Sequence, residues 1–477
     1  MKSGLIYFLL LLIVNVSFSQ SYVPKIESCP CFVKVDSALI STCGYLIVPE
    51  NRRKPAGRTV KLPFVYVKKT VSDSNVTLYT TGGPGFSTIA NFKGISARSD
   101  YLQFGGFIMF DQRGSKKSTP CLDCPEVNAA SIKAYKENLS KDSLELEAIK
   151  QCRKRLVAEG IDLSAYNTIE SAADINDLRK ALHIDSLNLL GMSYSGGLML
   201  TVAKNHPEGV RSLILNSPLP GYANYEEDAL FNINEALNQV FDNCETDSTD
   251  KTVYGTLRER FHRYFTDITD KRFTISYTEK GRAQKMVINY TKNELLDAIL
   301  NRLNRSQLKT VPFVMNELIN GRHDMYVKEI LDDVFKGNQS LSHGMRYSIY
   351  CSEQIAYASK GLVKKQDTII PWLARFAFNN VNHDICDCWK VKPEPATAKM
   401  PVYSNIPAFI AAGDADPWCR PFYNRLIKRY MPNSQLLIVH NQGHCPSFYV
   451  DGVDFLKLFM QDPYKKIVST SKDVIIE

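Results

Sequence analysis

Apolar, β-rich runs that end in glycine turns and alternate with helix-patterned stretches constrain this chain more than any other feature. The run 76–81 leads into Gly82-Gly83-Pro84-Gly85, and 106–110 leads into Asp111-Gln112-Arg113-Gly114. The run 186–190 leads into Gly191, and 211–216 into Ser217-Pro218; two more follow at 406–412 and 435–440. Strands this apolar are buried on both faces, so helices must cover them. Helix patterns stand where that demands. Ile175, Leu178 and Leu182 share a face behind a capping-box spacing at Ser171 and Asp174, and Leu198 and Val202 share another before His206-Pro207. Segment 59–69 alternates Val60, Leu62, Phe64 and Tyr66, as a half-buried strand does. The expectation is an α/β fold, a mostly parallel sheet with helices on both faces.

The stretch 222–394 breaks this rhythm. It is polar and helical, with Leu230, Ile233, Leu237, Val240 and Phe241 on one face, Tyr254, Leu257, Phe261 and Phe265 marking a second helix, and Val327, Ile330, Leu331 and Val334 a third, ended by Gly337. Only 273–277 and 285–290 read as strands, a small hairpin. The expected organisation is a leader at 1–19, a core in two parts at 20–221 and 395–477, and a mainly helical insertion at 222–394. The leader has Lys2, an apolar stretch from Leu5 to Val16, and small Ser17 and Ser19 at the cleavage positions. Hydrophobic residues at 44% and charged residues at 23% exclude a disordered or collagen-like chain. A net charge of +8 over 477 residues, without a long basic run, gives no reason to expect nucleic acid as a partner. No stretch after the leader is long enough to span a membrane, so stable membrane insertion is not expected.

Twelve cysteines follow the leader, and an even count in an exported chain points to disulfides. The close pairs Cys29/Cys31, Cys121/Cys124 and Cys386/Cys388 lack a second pair at zinc-site spacing, so no metal is expected.

The segment SLNLLGMSYSGG at 186–197 carries the chemistry. A serine forced into a tight strand-to-helix turn exposes its hydroxyl only if the residues two before and two after are very small. Gly191 and Ser195 flank Ser193 in that way, with Ser195 standing where glycine is usual. Ser195 is itself a weaker nucleophile candidate. A serine hydroxyl needs a histidine to take its proton, and the histidine needs an acid to fix its tautomer. Asp416 follows the run 406–412 and His444 follows 435–440, in the order this turn requires; Asp414 is the lesser candidate acid. Acyl transfer also needs donors for the developing oxyanion. The Tyr194 amide opens the helix, and Gly83 offers an N–H where Pro84 has none. No cofactor is called for. If the triad assembles, the loops carrying Cys419 and Cys445 meet, which predicts a bridge between these two.

Taken together, GGPG at 82–85, DQRG at 111–114, GMSYSGG at 191–197, GDADP at 413–417 and GHCP at 443–446 resemble the proline iminopeptidase and tripeptidyl aminopeptidase family of α/β-hydrolase serine peptidases. The segment CGYLIVPEN at 43–51 and NHPE at 205–208 resemble its exported branch. The resemblance implies an α/β-hydrolase core with 222–394 as a helical cap, acting on peptides with a free N-terminus. It also implies that Glu353, in Cys351-Ser-Glu353, binds the substrate ammonium. Cys121 or Cys124 with Cys152, and Cys351 with Cys386 or Cys388, resemble family pairings. Thr81 stands where proline iminopeptidases carry histidine, so strict prolyl specificity does not follow. Asp111 and Arg113 are expected to form a salt-bridged brace for the oxyanion turn rather than to touch substrate. The alternative function is an esterase or other small-molecule hydrolase on the same scaffold.

Overall fold

The computed structural model describes residues 22–304, 307–379 and 381–477; the expected leader at 1–19 lies outside them. A ten-stranded sheet runs through the described residues. Its strands are β1 (Lys25–Ser28), β2 (Ile40–Pro49), β3 (Thr59–Lys68), β4 (Val76–Thr80), β5 (Gly106–Phe110), β6 (Leu187–Met192), β7 (Val210–Asn216), β8 (Ala408–Gly413), β9 (Ser434–Val439) and β10 (Val474–Ile476). They lie in the order β1-β2-β3-β5-β4-β6-β7-β8-β9-β10. From β5 to β9 all pairings are parallel, while β1, β2, β3 and β10 add antiparallel margins. The sheet is thus α/β as expected but mixed at its margins. Every residue of β4, β5, β8 and β9 is buried, which is why these runs are apolar without alternation.

Helices cover the two faces unequally: the long ones pack on one, and the short helix Phe455–Gln461 with loops and 3-10 turns covers the other. Helix α1 (Thr168–Ala181) starts three residues before the expected capping box: its cap is Asn167, whose side chain accepts from Glu170 N. Ser171 and Asp174 lie inside it, and Asp174 is turned to a buried ion pair instead. Helix α2 (Tyr194–Asn205) follows β6 directly and stops at His206-Pro207 as predicted. Between β7 and β8 come α3 (Tyr225–Thr246), the hairpin Phe273–Thr278 with Lys285–Tyr290, further helices, and α4 (His343–Glu353). Most of this region closes around its own apolar cluster, which includes Phe241, Phe261, Phe265, Leu296 and Leu331. Helix α4 does not: Met345, Tyr347, Ile349 and Tyr350 pack into the sheet's cluster with Trp389. Helix α5 (Pro421–Tyr430) returns the chain from β8 to β9.

Disulfides join Cys31 to Cys43, Cys124 to Cys152 and Cys351 to Cys386. The last two fall among the pairings that the resemblance implied. The predicted Cys419–Cys445 bridge is absent, and both residues are free thiols. The reason is direction: Cys419 Sγ points at Ser193 Oγ, 3.9 Å away, whereas Cys445 Sγ lies 4.0 Å from Asn216 O. No helix among the described residues is long and apolar enough to cross a membrane.

Candidate active site

The site is built on the ends of four parallel strands. At the end of β6, Ser193 has φ 56° and ψ −126°, a left-handed conformation that an L residue holds only when its surroundings force it. The force is local packing. A Cβ on Gly191 would sit 2.5 Å from Ser195 O, and one on Gly196 would sit 2.5 Å from Pro218 Cβ. Ser195 is fully buried; its Oγ donates to Thr80 O (2.7 Å) and accepts from Met192 N (2.8 Å). The side chain that departs from the usual glycine therefore ties the turn to β4, and its hydroxyl is unavailable as a nucleophile.

The loop after β4 lies against this turn. A Cβ on Gly82 would meet Met192 O at 2.5 Å and Ser193 Cβ at 2.9 Å, so only glycine fits there. Gly83 has φ +124°. Among the described residues, neither Gly83 N nor Tyr194 N donates a hydrogen bond. The loop is held from the core side by Gln112 Nε2 donating to Thr81 O (3.0 Å), and by Asp111, which accepts from Ser87 Oγ (2.7 Å) and Ile89 N (2.9 Å). Asp111 is thus a brace, but not a salt-bridged one. Arg113, fully buried, instead forms a two-pronged ion pair with Asp174, both contacts at 2.7 Å, and donates to the carbonyls of Glu50 and Ala165.

The expected acid and base, Asp416 and His444, stand beyond β8 and β9. Asp416 is fully buried; Oδ1 accepts from the N–H groups of Trp418 and Cys419, each at 2.9 Å, and Oδ2 lies 2.8 Å from His444 Nδ1. Burial alone would raise the Asp416 carboxyl, but His444 and the Cys419 amide hold it below the usual carboxylate range. Burial alone would lower His444, yet Asp416 carries it well above the usual histidine range. Asp414 pairs with His440 at 3.1 Å, away from His444. The histidine loop is fixed from two sides: Ser217 Oγ accepts from Cys445 N (3.0 Å), and His444 N donates to Leu303 O (2.9 Å) in the inserted region. The ring of Trp418 packs edge-on against His444 with centroids 5.2 Å apart.

Ser193, His444, Gly83 and Tyr194 line one cavity of about 550 Å³, together with Arg346, Asn379, Trp418 and Cys419. Among the described residues Ser193 Oγ makes no hydrogen bond to His444; such bonds often tighten only when substrate is bound. One ligand-type atom from each of Asp416, Cys419 and His444 lies within 4.8 Å of the others, so the Cys419 thiol sits inside the Ser–His–Asp constellation. A larger cavity, about 1060 Å³, shares Tyr79, Met192, His444 and Cys445 with it but is not lined by Ser193.

Glu353 does not line the cavity of Ser193. It lies beside it in a pocket of about 30 Å³ that also borders on Tyr194, Leu219 and Tyr350. Its two oxygens accept from Thr168 N and Thr168 Oγ1, both at 2.7 Å. Burial, then the charge of Glu394, pushes its carboxyl well above the usual range. Sequence reasoning missed a second buried acid. Glu226 accepts from Asn379 Nδ2 (3.0 Å), a residue of the cavity wall, and burial pushes it up to about 7. It missed Arg346 as well. Neither carries a sequence signal: Glu226 is the first of three consecutive acids, Glu226, Glu227 and Asp228, at the start of α3, and nothing local marks it as the buried one; the partners of Arg346 are distant in sequence.

A parallel sheet that carries a serine in a strained strand-to-helix turn, followed by an acid and a histidine on later strand ends, is the architecture of an α/β-hydrolase. The family model described as alpha/beta hydrolase fold matches residues 106–449, and the chain belongs to that family. It is similar to a tripeptidyl aminopeptidase of Streptomyces coelicolor, with 29% identity over 193 residues, 37% of this chain and 34% of the relative. It is similar to the serine protease Hip1 of Mycobacterium tuberculosis, with 27% identity over 184 residues, 36% of this chain and 35% of the relative. It is also similar to a proline iminopeptidase of Heyndrickxia coagulans, 23% identical over 116 residues, 24% of this chain and 40% of the relative. The chain therefore matches about a third of the length of the first two relatives.

Proposed function

We propose that this protein is an exported serine aminopeptidase that releases short N-terminal fragments, from one to three residues, from peptides. The observation that carries the serine-hydrolase part is the single cavity lined by Ser193, by His444 with its Asp416 partner, and by two undonated amides. Ser193 Oγ attacks the peptide carbonyl while His444 takes its proton, and the carbonyl electrons move onto the oxygen that Gly83 N and Tyr194 N stabilise. The tetrahedral species collapses, His444 gives its proton to the leaving amine, and an acyl enzyme remains. Water, deprotonated by His444, then releases the acid. Asp416 keeps the proton of His444 on Nδ1, so that Nε2 is free to accept. No step needs a cofactor or a metal.

The peptide part rests on the relatives. Aminopeptidase action needs an anion for the substrate ammonium, and buried acids beside the cavity supply the candidates: Glu353, as the family resemblance implies, and Glu226 behind Asn379. The helical region between β7 and β8 acts as the cap, closing the cavity beyond the first residues of the peptide. A panel of free and N-blocked mono-, di- and tripeptidyl fluorogenic substrates tests this, with Ser193→Ala as the inactive control. Free amines are cleaved and blocked ones are not. Glu226→Gln and Glu353→Gln separate the two acids: the one that meets the ammonium raises KM for free-amine substrates alone. Equal cleavage of blocked and free substrates would overturn the aminopeptidase reading.

A further inference from the structure

We infer that Arg346, on α4, is a positioning residue for the oxyanion loop, so that the inserted region builds part of the catalytic machinery rather than only enclosing it. The inference rests on the serine-hydrolase reading above. Arg346 Nη1 donates to Gly83 O (2.8 Å) and Nη2 donates to Asn379 O (3.1 Å), while the guanidinium lies over the Tyr350 ring, 4.8 Å from its centroid. One fixed fork thus joins the loop that carries the Gly83 amide to two segments of the inserted region.

Arg346 is the last rung of a longer strap. Ser87 N donates to Ser340 O (3.0 Å), and Ser342 N donates to Gly85 O (2.9 Å). Residues 83, 85 and 87, alternate positions of the loop, are therefore all tied to 340–346. The third glycine of GGPG follows from the same contact: a Cβ on Gly85 would stand 2.7 Å from Ser342 O and 3.0 Å from the Leu341 side chain. Upstream of Gly83, Thr81 O is held by Gln112 from the core, and Thr81 N donates to Thr88 Oγ1 at the far end of the same loop. Downstream, the Gly83 carbonyl is held by Arg346. Glycine has the softest backbone of any residue, so the direction of the Gly83 N–H depends on both anchors. An oxyanion donor acts through pre-set direction, and a misdirected one has lost its catalytic value before substrate arrives.

The test compares wild type with Arg346→Met and Arg346→Lys, the latter keeping one donor towards Gly83 O. Arg346→Met lowers kcat by about 10- to 100-fold, the range for a displaced oxyanion donor, with KM nearly unchanged. Its affinity for a tripeptide aldehyde, which adds Ser193 to give a tetrahedral oxyanion, falls by the same factor. Affinity for the matching tripeptide product, which forms no oxyanion, stays as in wild type. Arg346→Lys recovers part of the loss, and both variants are checked for folding by thermal unfolding. A rise in KM with kcat intact, or equal losses of aldehyde and product affinity, overturns the inference: Arg346 would then touch substrate or serve structure alone. Failure of Arg346→Met to fold leaves the same comparison to Arg346→Lys, which loses kcat and aldehyde affinity by a smaller common factor with product affinity kept; wild-type values of both, or a loss shared with product affinity, overturn the inference. A wild-type protein that neither labels with a fluorophosphonate nor cleaves any substrate brings down the hydrolase reading itself, and this inference with it.

Discussion

Replacing Asp416 by asparagine isolates one proton. In the native site, Asp416 Oδ1 accepts from two backbone N–H groups and Oδ2 faces His444 Nδ1. An asparagine keeps its oxygen where the two amide protons need an acceptor, so its NH₂ turns to the imidazole. His444 Nδ1 must then accept, the ring proton moves to Nε2, and Nε2 can no longer take the proton of Ser193. The shape of the site hardly changes, so substrate affinity is kept while kcat falls by about 10⁴, or about 5 kcal/mol of transition-state stabilisation. Steady-state kinetics on the best peptide substrate read this directly, and the rate of fluorophosphonate labelling falls with it. Asp414→Asn is the matched control, because Asp414 is bonded to His440. A loss below about tenfold for Asp416→Asn, or a larger loss for Asp414→Asn, would refute the assignment of the acid.

Other consequences follow from the same contacts. In the proposed mechanism the neutral form of His444 is the base, so kcat/KM rises with pH, and its midpoint lies above the usual histidine value of about 6.5 because Asp416 outweighs burial; a pH–rate profile with a midpoint at or below that value contradicts it. If Glu226 meets the ammonium, its carboxylate form exists only above about 7, so KM for free-amine peptides rises as pH falls through that value, and Glu226→Gln removes the dependence. Ser195→Ala strips Met192 N and Thr80 O of a buried partner and costs about 1–3 kcal/mol, measured by denaturant unfolding. Arg113→Met leaves Asp174 with Arg52 as its remaining cation and destabilises by about 3–5 kcal/mol, read the same way.

The elements that were legible in the sequence are those whose surroundings are uniform. Strands β4, β5, β8 and β9 are buried throughout, so their apolar runs report them without ambiguity. Strands β1 and β10 are short and partly exposed, and the first residues of β2 are exposed, so hydrophobic patterning alone does not mark them. The start of α1 was misplaced because Asp174 has the spacing of a cap residue, while its true task, pairing with Arg113, lies 61 residues away in the chain.

The chain by itself determines the nucleophile turn, because the steric demand around Ser193 is met by its immediate neighbours and can be read from Gly191 to Gly197. It determines the order of serine, acid and histidine for the same reason: each follows its own strand. Tertiary structure decides everything that depends on side chains converging from distant segments. Asp414 and Asp416 are two residues apart and equally placed in sequence, yet only Asp416 reaches His444. Cys419 and Cys445 flank the acid and the base, yet their thiols point to different partners. Gly83 and Arg346 meet across 263 residues. Local sterics act through covalent neighbours and leave their mark on sequence, whereas hydrogen bonds and ion pairs between remote segments exist only once the sheet has brought its strand ends together.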